Sequence, residues 1–333
     1  MNTLWQLYHP DIPPFLRALA ETPPMRRLKD VGMNCGCEYT SFPLFTHTLP
    51  YSRLDHSMGA ALIVWHFTQD PCQAVAALLH DVATPAFAHT VDFLHGDYLR
   101  QESTEDGTTQ IIAASPEIQN QLRLLGLTTG DIADYHRYPI ADNDAPRLSS
   151  DRLEYTLGNL FHYGFADLPR LEEYYEDLTT GLGEDGQSEL LFRTPALAAA
   201  FTLDALRTAR VYVADEDRFA MQALADLLRD ALGRGVLEPS VLAATEPQVI
   251  HMLLRDEASA EKWHQFRRYA RILRADTCPS TGYWVRVNAK KRFIDPLCTG
   301  LGRCSAWSEE VQRALDAFQA LDFSSFLSAA ENV

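Results

Sequence analysis

Apolar positions recur every three or four residues through the first two thirds of the chain, the period of helices that bury one face. After a turn-rich stretch at 39–52, Met58, Ala61, Leu62 and Trp65 fall on one helical stripe. Asp70-Pro71 then stops or restarts the chain. Val75, Leu78 and Leu79 mark a second helix, expected to end near Ala83-Thr84 because Pro85 disfavours helical geometry just before it. A third helix starts near 150, with Leu153, Leu157, Leu160 and Phe161 on one face and Ser149 or Ser150 placed to cap it. Further helices are predicted at about 195–212, 216–232 and 308–320. The middle one lines up Ala220, Ala223, Leu224, Leu227, Leu228 and Ala231.

Only 282–298 reads as extended, its aromatic and β-branched residues alternating with polar ones as in a short surface hairpin. The stretch 179–194 is Gly-rich and acidic and is expected to be a mobile flap. The fold class is therefore mostly α with a small β element. The predicted organisation is a main helical domain over 1–235 and a C-terminal helical extension over 236–333 that carries the hairpin.

Composition narrows the function classes. Apolar residues make up 46% of 333 positions with no low-complexity tract, so a large core is expected and disorder is not. The 45 acidic residues outnumber 29 Lys plus Arg, for a net charge of −16. Such a surface repels phosphate backbones, which disfavours a general nucleic-acid binder. No apolar run approaches the ~20 residues that span a bilayer, and the N-terminal stretch lacks the features of a signal peptide. A soluble cytoplasmic protein is the expectation. The cysteines agree: Cys35-x-Cys37 is the one close pair, and Cys298 to Cys304 is too wide to complete a zinc ribbon with it.

The chemistry concentrates in 51–92. His56 opens one helix, His80-Asp81 closes the next, and Asp151 follows at the start of the third. Two imidazoles and two carboxylates form an N/O donor set that suits one divalent ion, Mn, Fe, Co, Ni, Zn or Mg, with open positions for water and substrate oxygens. That is what metal-assisted hydrolysis requires.

This arrangement resembles the HD-domain metal-dependent phosphohydrolases, and the flanking text is similar to their deoxynucleoside-triphosphate triphosphohydrolase branch. The matching pieces are Thr22-Pro-Pro-Met-Arg-Arg-Leu-Lys, Ser52-Arg-Leu-Asp-His-Ser-Met-Gly, Ala77-Leu-Leu-His-Asp, Pro85-Ala-Phe-Ala-His-Thr-Val-Asp and Ser150-Asp-Arg-Leu-Glu-Tyr. Arg-Phe-Ile-Asp-Pro-Leu at 292–297 is also similar. The resemblance implies an HD-type helical bundle with His56, His80, Asp81 and Asp151 as metal ligands. It implies triphosphate contacts by Arg53 and Arg152, a Tyr155 lying along the nucleotide, and catalytic roles for Asp81, His89 and Asp92. It further implies a small-molecule nucleotide or related phosphoester as partner and assembly into a homo-oligomer.

Departures from the family pattern are equally specific. Thr84 stands where the family has a histidine, and a second family histidine falls around Ser103-Thr104-Glu105, so Asp92 is expected to have lost its partner. Threonine cannot carry a proton near neutral pH as imidazole does. A sugar-binding aspartate corresponds to Asn159, and a Gln-Leu pair to Met33-Asn34. Nucleotide monophosphatases of the same superfamily work without the missing histidines, which leaves His89 as the candidate acid. Two other readings stay open: a nucleotide-binding regulatory protein with little or no turnover, and a di-iron HD oxygenase, against which the lack of any histidine between His95 and His136 counts. Ordinary structural roles compete residue by residue. Arg53 and Arg152 suit scaffold salt bridges, Tyr155 suits a buried helix face, and Lys290-Lys291-Arg292 suits a solvated hairpin face, with a nucleotide- or partner-binding role as the alternative.

Overall fold

The computed structural model describes residues 3–99 and 107–331. The helices that build the site are α1 (Arg53–Thr68), α2 (Pro71–Leu79), α3 (Thr90–His95), α4 (Ser150–His162), α5 (Pro195–Val211), α6 (Asp215–Gly233) and α7 (Glu309–Gln319). Their starts are chemically marked. Ser52 caps α1 by accepting from the Asp55 N–H, while the Asp55 carboxylate accepts from the Ser52 N–H at 3.1 Å. Asp70 caps α2 through the Cys72 N–H at 2.8 Å, with Pro71 in the first turn where its missing donor costs nothing. Ser149 caps α4 through the Arg152 N–H.

The second helix stops at Leu79, earlier than its apolar pattern suggests. Beyond it the chain turns tightly, with Val82 N–H donating to Leu79 O and Thr84 N–H to Asp81 O. In this turn the carbonyls of Val82 and Thr84 are taken by the distant Arg27 guanidinium, at 3.1 and 2.6 Å. That early stop is what swings His80 and Asp81 out of the helix.

Two small sheets accompany the helices among the described residues. Strands β1 (Leu178–Leu182) and β2 (Ser188–Phe192) form an antiparallel hairpin with Leu178 opposite Phe192. Strand β3 (Tyr269–Ala275) precedes β4 (Leu297–Cys298), which runs parallel to β2 and antiparallel to β5 (Gly302–Arg303). Strand β6 (Phe326–Glu331) closes the second sheet against β3.

The expected flap at 179–194 is thus a hairpin, and its second strand is core. Leu190, Leu191 and Phe192 are buried, and the buried Glu189 carboxylate is paired with Arg303 at 2.5 Å. The hairpin expected at 282–298 does not form. Val285 bridges to Leu327 instead, and Leu297–Cys298 joins the other sheet. The reason is packing: Val285 and Val287 enter one apolar core while Ile294 and Cys298 enter another, so the segment cannot fold back on itself.

Those two cores organise the molecule. One gathers Leu62, Leu78, Leu153, Leu157, Phe201 and Leu315; the other gathers Phe42, Phe87, Phe219, Leu228, Trp263 and Leu327. Each such side chain contributes about 1.5–3 kcal/mol when fully buried. Residues from both sides of position 235 enter both cores. No helix among the described residues is long and apolar enough to cross a membrane.

Helices α1 and α4 approach closely because glycines face bulky partners on each side. A Cβ at Gly59 would lie 2.5 Å from Glu154 Oε1, and one at Gly158 would lie 2.3 Å from the Tyr51 hydroxyl oxygen. Gly59→Ala gains about 1 kcal/mol of helix propensity. Overpacking against a pinned carboxylate costs about 1–3 kcal/mol, so net destabilisation is expected, read as a lower urea midpoint. Gly233→Ala, with nothing within 4 Å of its Cβ, is the control and should be neutral or mildly stabilising.

Candidate metal centre

Three helix termini meet at one point. The N-terminal turn of α1 supplies His56, the residue after α2 is His80, and the first turn of α4 supplies Asp151. Ligand atoms of His56, His80 and Asp151 all lie within 4.8 Å of one another. His56 Nε2 is 3.0 Å and His80 Nε2 3.6 Å from Asp151 Oδ1. Asp81 Oδ2 approaches the same two nitrogens at 4.0 and 3.7 Å.

The tautomers follow from the hydrogen bonds behind the rings. His80 Nδ1 faces the Ala77 carbonyl oxygen at 2.7 Å, which can only accept, so Nδ1 carries the proton. His56 Nδ1 faces Glu154 Oε2 at 2.6 Å, with the same consequence. Both Nε2 atoms therefore point inward, backed by the carbonyl or carboxylate that usually orients a metal-bound imidazole. This donor set fits a divalent ion.

Electrostatics keep the centre ionised. For His56, burial pulls the pKa down, but the hydrogen bonds and charges of Asp151 and Glu154 outweigh it and raise it to about 10. A proton on Nε2 and a metal ion are thus alternatives for the same place. For Asp81, burial pushes up, yet Arg53, His80, His56 and the Thr84 hydroxyl together hold it well below the usual carboxylate range. Asp151 is lowered as well, burial being overcome by His56, His80 and Arg152.

Thr84 donates to Asp81 Oδ1 at 2.7 Å, so this departure from the family pattern braces an expected ligand. His89 and Asp92 sit together rather than apart. His89 Nδ1 is 3.0 Å from Asp92 Oδ2, so the Asp92 carboxylate meets His89. Burial first, then the charges of Arg292 and Arg53, lower the His89 pKa to about 4 against the pull of Asp92. The Asp92 contact takes Nδ1, and the lowered pKa favours the neutral ring. Ser103-Thr104-Glu105 lies outside the described residues.

Neither arginine expected on the phosphates is positioned as a loose surface cation. Arg53 is buried, with Nη1 on Asp81 Oδ2 at 3.1 Å and Nη2 3.9 Å from Cys35 Sγ. Arg152 donates to Arg147 O at 2.7 Å and to Asn143, and pairs with Asp142 at 3.3 Å, tying down the loop before α4. Tyr155 and Asn159 follow Asp151 at four-residue steps on α4, one face leading away from the centre. Asn159 Nδ2 donates to the Tyr212 hydroxyl at 2.7 Å, and the Tyr155 and Tyr212 rings stand 6.3 Å apart. On another side a cavity of about 190 Å³, lined by His80, Thr108, Tyr135 and His136 among others, opens beside the cluster.

No family model matches the chain. It is 23% identical over 300 residues to the metal-dependent phosphohydrolase cns2 of Cordyceps militaris, covering 85% of this chain and 80% of that protein. It is 24% identical over 241 residues to the uncharacterized protein YdhJ of Bacillus subtilis, covering 72% of this chain and 70% of that one. The first relative and the His/Asp cluster together support a metal-dependent hydrolase.

Sequence reasoning missed Glu154 and Tyr212. Glu154 had a signal, a carboxylate one turn after Asp151 on a face otherwise apolar. Tyr212 had none, because it reaches the site by tertiary packing against Asn159.

Glu154→Gln keeps the size but weakens the acceptor behind His56. Metal affinity should fall roughly 10–100-fold while the fold persists, measured by competition with a chromogenic chelator. His89 carries a separate prediction. Its folded pKa of about 4 lies below its ordinary 6.5, so the unfolded chain binds the extra proton between those values. Stability should rise with pH across that window, and His89→Asn should flatten the rise, read from urea midpoints between pH 4 and 7.

Proposed function

We propose that the protein is a metal-dependent phosphohydrolase that cleaves a phosphoester of a nucleotide or a similar small phosphorylated compound. The reaction would follow either the deoxynucleoside-triphosphate triphosphohydrolase branch or a nucleotide phosphatase. The observation that carries this is the inward convergence of two Nε2 lone pairs on the Asp151 carboxylate, with both Nδ1 protons already used. A divalent ion held by His56, His80 and Asp151, with Asp81 as the fourth donor, would supply an acidified water and counter-charge for phosphoryl oxygens.

The residues of the chain have defined parts in this. Glu154 and the Ala77 carbonyl orient the imidazoles. Arg53 and Thr84 fix Asp81 in its ionised form, too acidic to serve as a base near neutral pH but suited to ligation and to orienting a water. His89 is backed by Asp92 and favours its neutral form. Tyr155, Asn159 and Tyr212 form the wall along which a nucleoside would lie. A nucleotide-binding protein with little turnover is the second reading, favoured by Thr84 and by the low pKa of His89.

The full chain loaded with Mn²⁺ or Co²⁺, offered nucleoside mono-, di- and triphosphates, should release orthophosphate or tripolyphosphate visible by phosphorus NMR. His80→Ala and Asp151→Asn should lose both product and stoichiometric metal. Metal-loaded wild type that binds a nucleotide yet yields no product would favour the second reading.

A further inference from the structure

The residues that lead into α1 do more than cap it. Gly32 and Ser52 form an antiparallel bridge. On either side of that bridge, Met33 N–H donates to Tyr51 O at 3.0 Å and Arg53 N–H to Val31 O at 2.9 Å. Further back, Leu49 N–H donates to His162 O at 3.0 Å, and His162 Nδ1 donates in return to Leu49 O at 3.2 Å. Residues 49–53 are therefore pinned to two separate places, the 31–33 stretch and the last residue of α4.

Tyr51 sits within this clamp and is buried. Its ring stacks on the buried His162 imidazole, with centroids 4.4 Å apart and planes 6° from parallel. Its hydroxyl passes Gly158 and donates to Glu154 Oε2. A side chain at 158 would close that approach, because a Cβ there would lie 2.6 Å from Tyr51 Cζ. Glu154 Oε2 is also the oxygen that meets His56 Nδ1 at 2.6 Å. One line of contacts thus runs from the end of α4 through Tyr51 and Glu154 to a ring whose other nitrogen faces Asp151 at 3.0 Å.

The two donors on Oε2 differ in what holds them. The last torsion of a glutamate is broad, so a carboxylate and an imidazole joined by one hydrogen bond can turn together. The tyrosine hydroxyl comes from a ring fixed on its face by His162 and through its backbone by Met33. It supplies the stationary end of the line.

We propose that Tyr51 is a positioning residue for the metal centre, fixing the Glu154 carboxylate and through it the inward aim of His56 Nε2. It acts without touching metal or substrate. The inference rests on the metal-dependent part of the functional reading and on nothing about the phosphoester.

Tyr51→Phe deletes the hydroxyl and keeps the stacked ring. Affinity of the full chain for Mn²⁺ and Co²⁺ is measured by chelator competition in wild type, Tyr51→Phe, Glu154→Gln and the double variant. Visible absorption of the Co²⁺-saturated proteins reports ligand geometry, and thermal melting checks the fold. Tyr174→Phe is the control, removing a buried tyrosine hydroxyl from a different carboxylate, Asp204 on α5, at 2.7 Å. Tyr51→Phe should weaken metal binding about ten-fold and alter the Co²⁺ bands, while Tyr174→Phe changes neither. Because Tyr51 acts through Glu154, adding Tyr51→Phe to Glu154→Gln should cost at most about a further two-fold. Affinity in Tyr51→Phe within two-fold of wild type, or tighter, overturns the proposal. So do unchanged Co²⁺ bands, a fully additive loss in the double variant, or an equal loss in Tyr174→Phe. A wild type that binds no divalent ion brings down the metal-dependent reading as well. Metal bound with no coupling between Tyr51 and Glu154 brings down the role of Tyr51 alone.

Discussion

A carboxylate buried between two helices sets the terms for the rest of the site. Glu154 lies under Gly59 on the neighbouring helix and takes hydrogen bonds from His56 Nδ1 and the Tyr51 hydroxyl. Burying an unpaired carboxylate costs several kcal/mol, and these partners are what make the position tolerable. Burial nevertheless leaves its pKa raised above the ordinary value, with His56 and Tyr51 opposing the rise. The same contact turns the imidazole so that Nε2 meets Asp151 from the preceding turn of the helix. Helix spacing, ring orientation and ligand convergence are therefore one constraint. Gly59 satisfies it by omitting a side chain where the helices touch, and Gly158 by leaving room for the Tyr51 ring that precedes the first helix.

A second balance concerns charge. The chain carries −16 overall, which cannot draw in a polyanion from a distance. Attraction has to be local, and the two most obvious local cations are engaged by protein groups: Arg53 keeps Asp81 ionised, and Arg152 staples the loop at 142–147. Both act on the centre by placing other groups. In a buried site this division is economical, since a guanidinium already paired with a carboxylate adds little net positive charge.

The loop that bears His89 is held in an unusual backbone state. Phe87 and Ala88 adopt positive φ values of 62° and 43°, and Cys35, packed nearby, has 55°. Such conformations cost on the order of 1–3 kcal/mol each outside glycine. They persist because the surroundings leave no alternative. Ala86 N–H donates to Leu242 O at 2.8 Å, Phe87 N–H to Glu246 at 3.3 Å, and the Thr90 hydroxyl to Cys35 O at 2.8 Å. Gly36 gives Phe87 the room it needs: a Cβ there would lie 2.9 Å from the ring.

Helix positions and the His56, His80 and Asp151 set could be read directly from the residues, because both depend on short-range rules. Apolar period and capping groups such as Ser52, Asp70 and Ser149 act within a few residues, and a His-Asp pair at a helix end is a local fact. What packing alone decided lies across the chain. Arg27, some fifty residues away, holds the turn after the second helix by donating to the Val82 and Thr84 carbonyls. The 282–298 alternation satisfies two separate cores and so never becomes a hairpin, and the 179–194 stretch gains order only by burying β2 and pairing Glu189 with Arg303. Glu154 and Tyr212 join the site by the same kind of long-range contact. Local sequence determines which elements form and which ligands they can offer. Which charges remain available to a substrate depends on the partners each arginine meets in three dimensions, and no spacing rule encodes that.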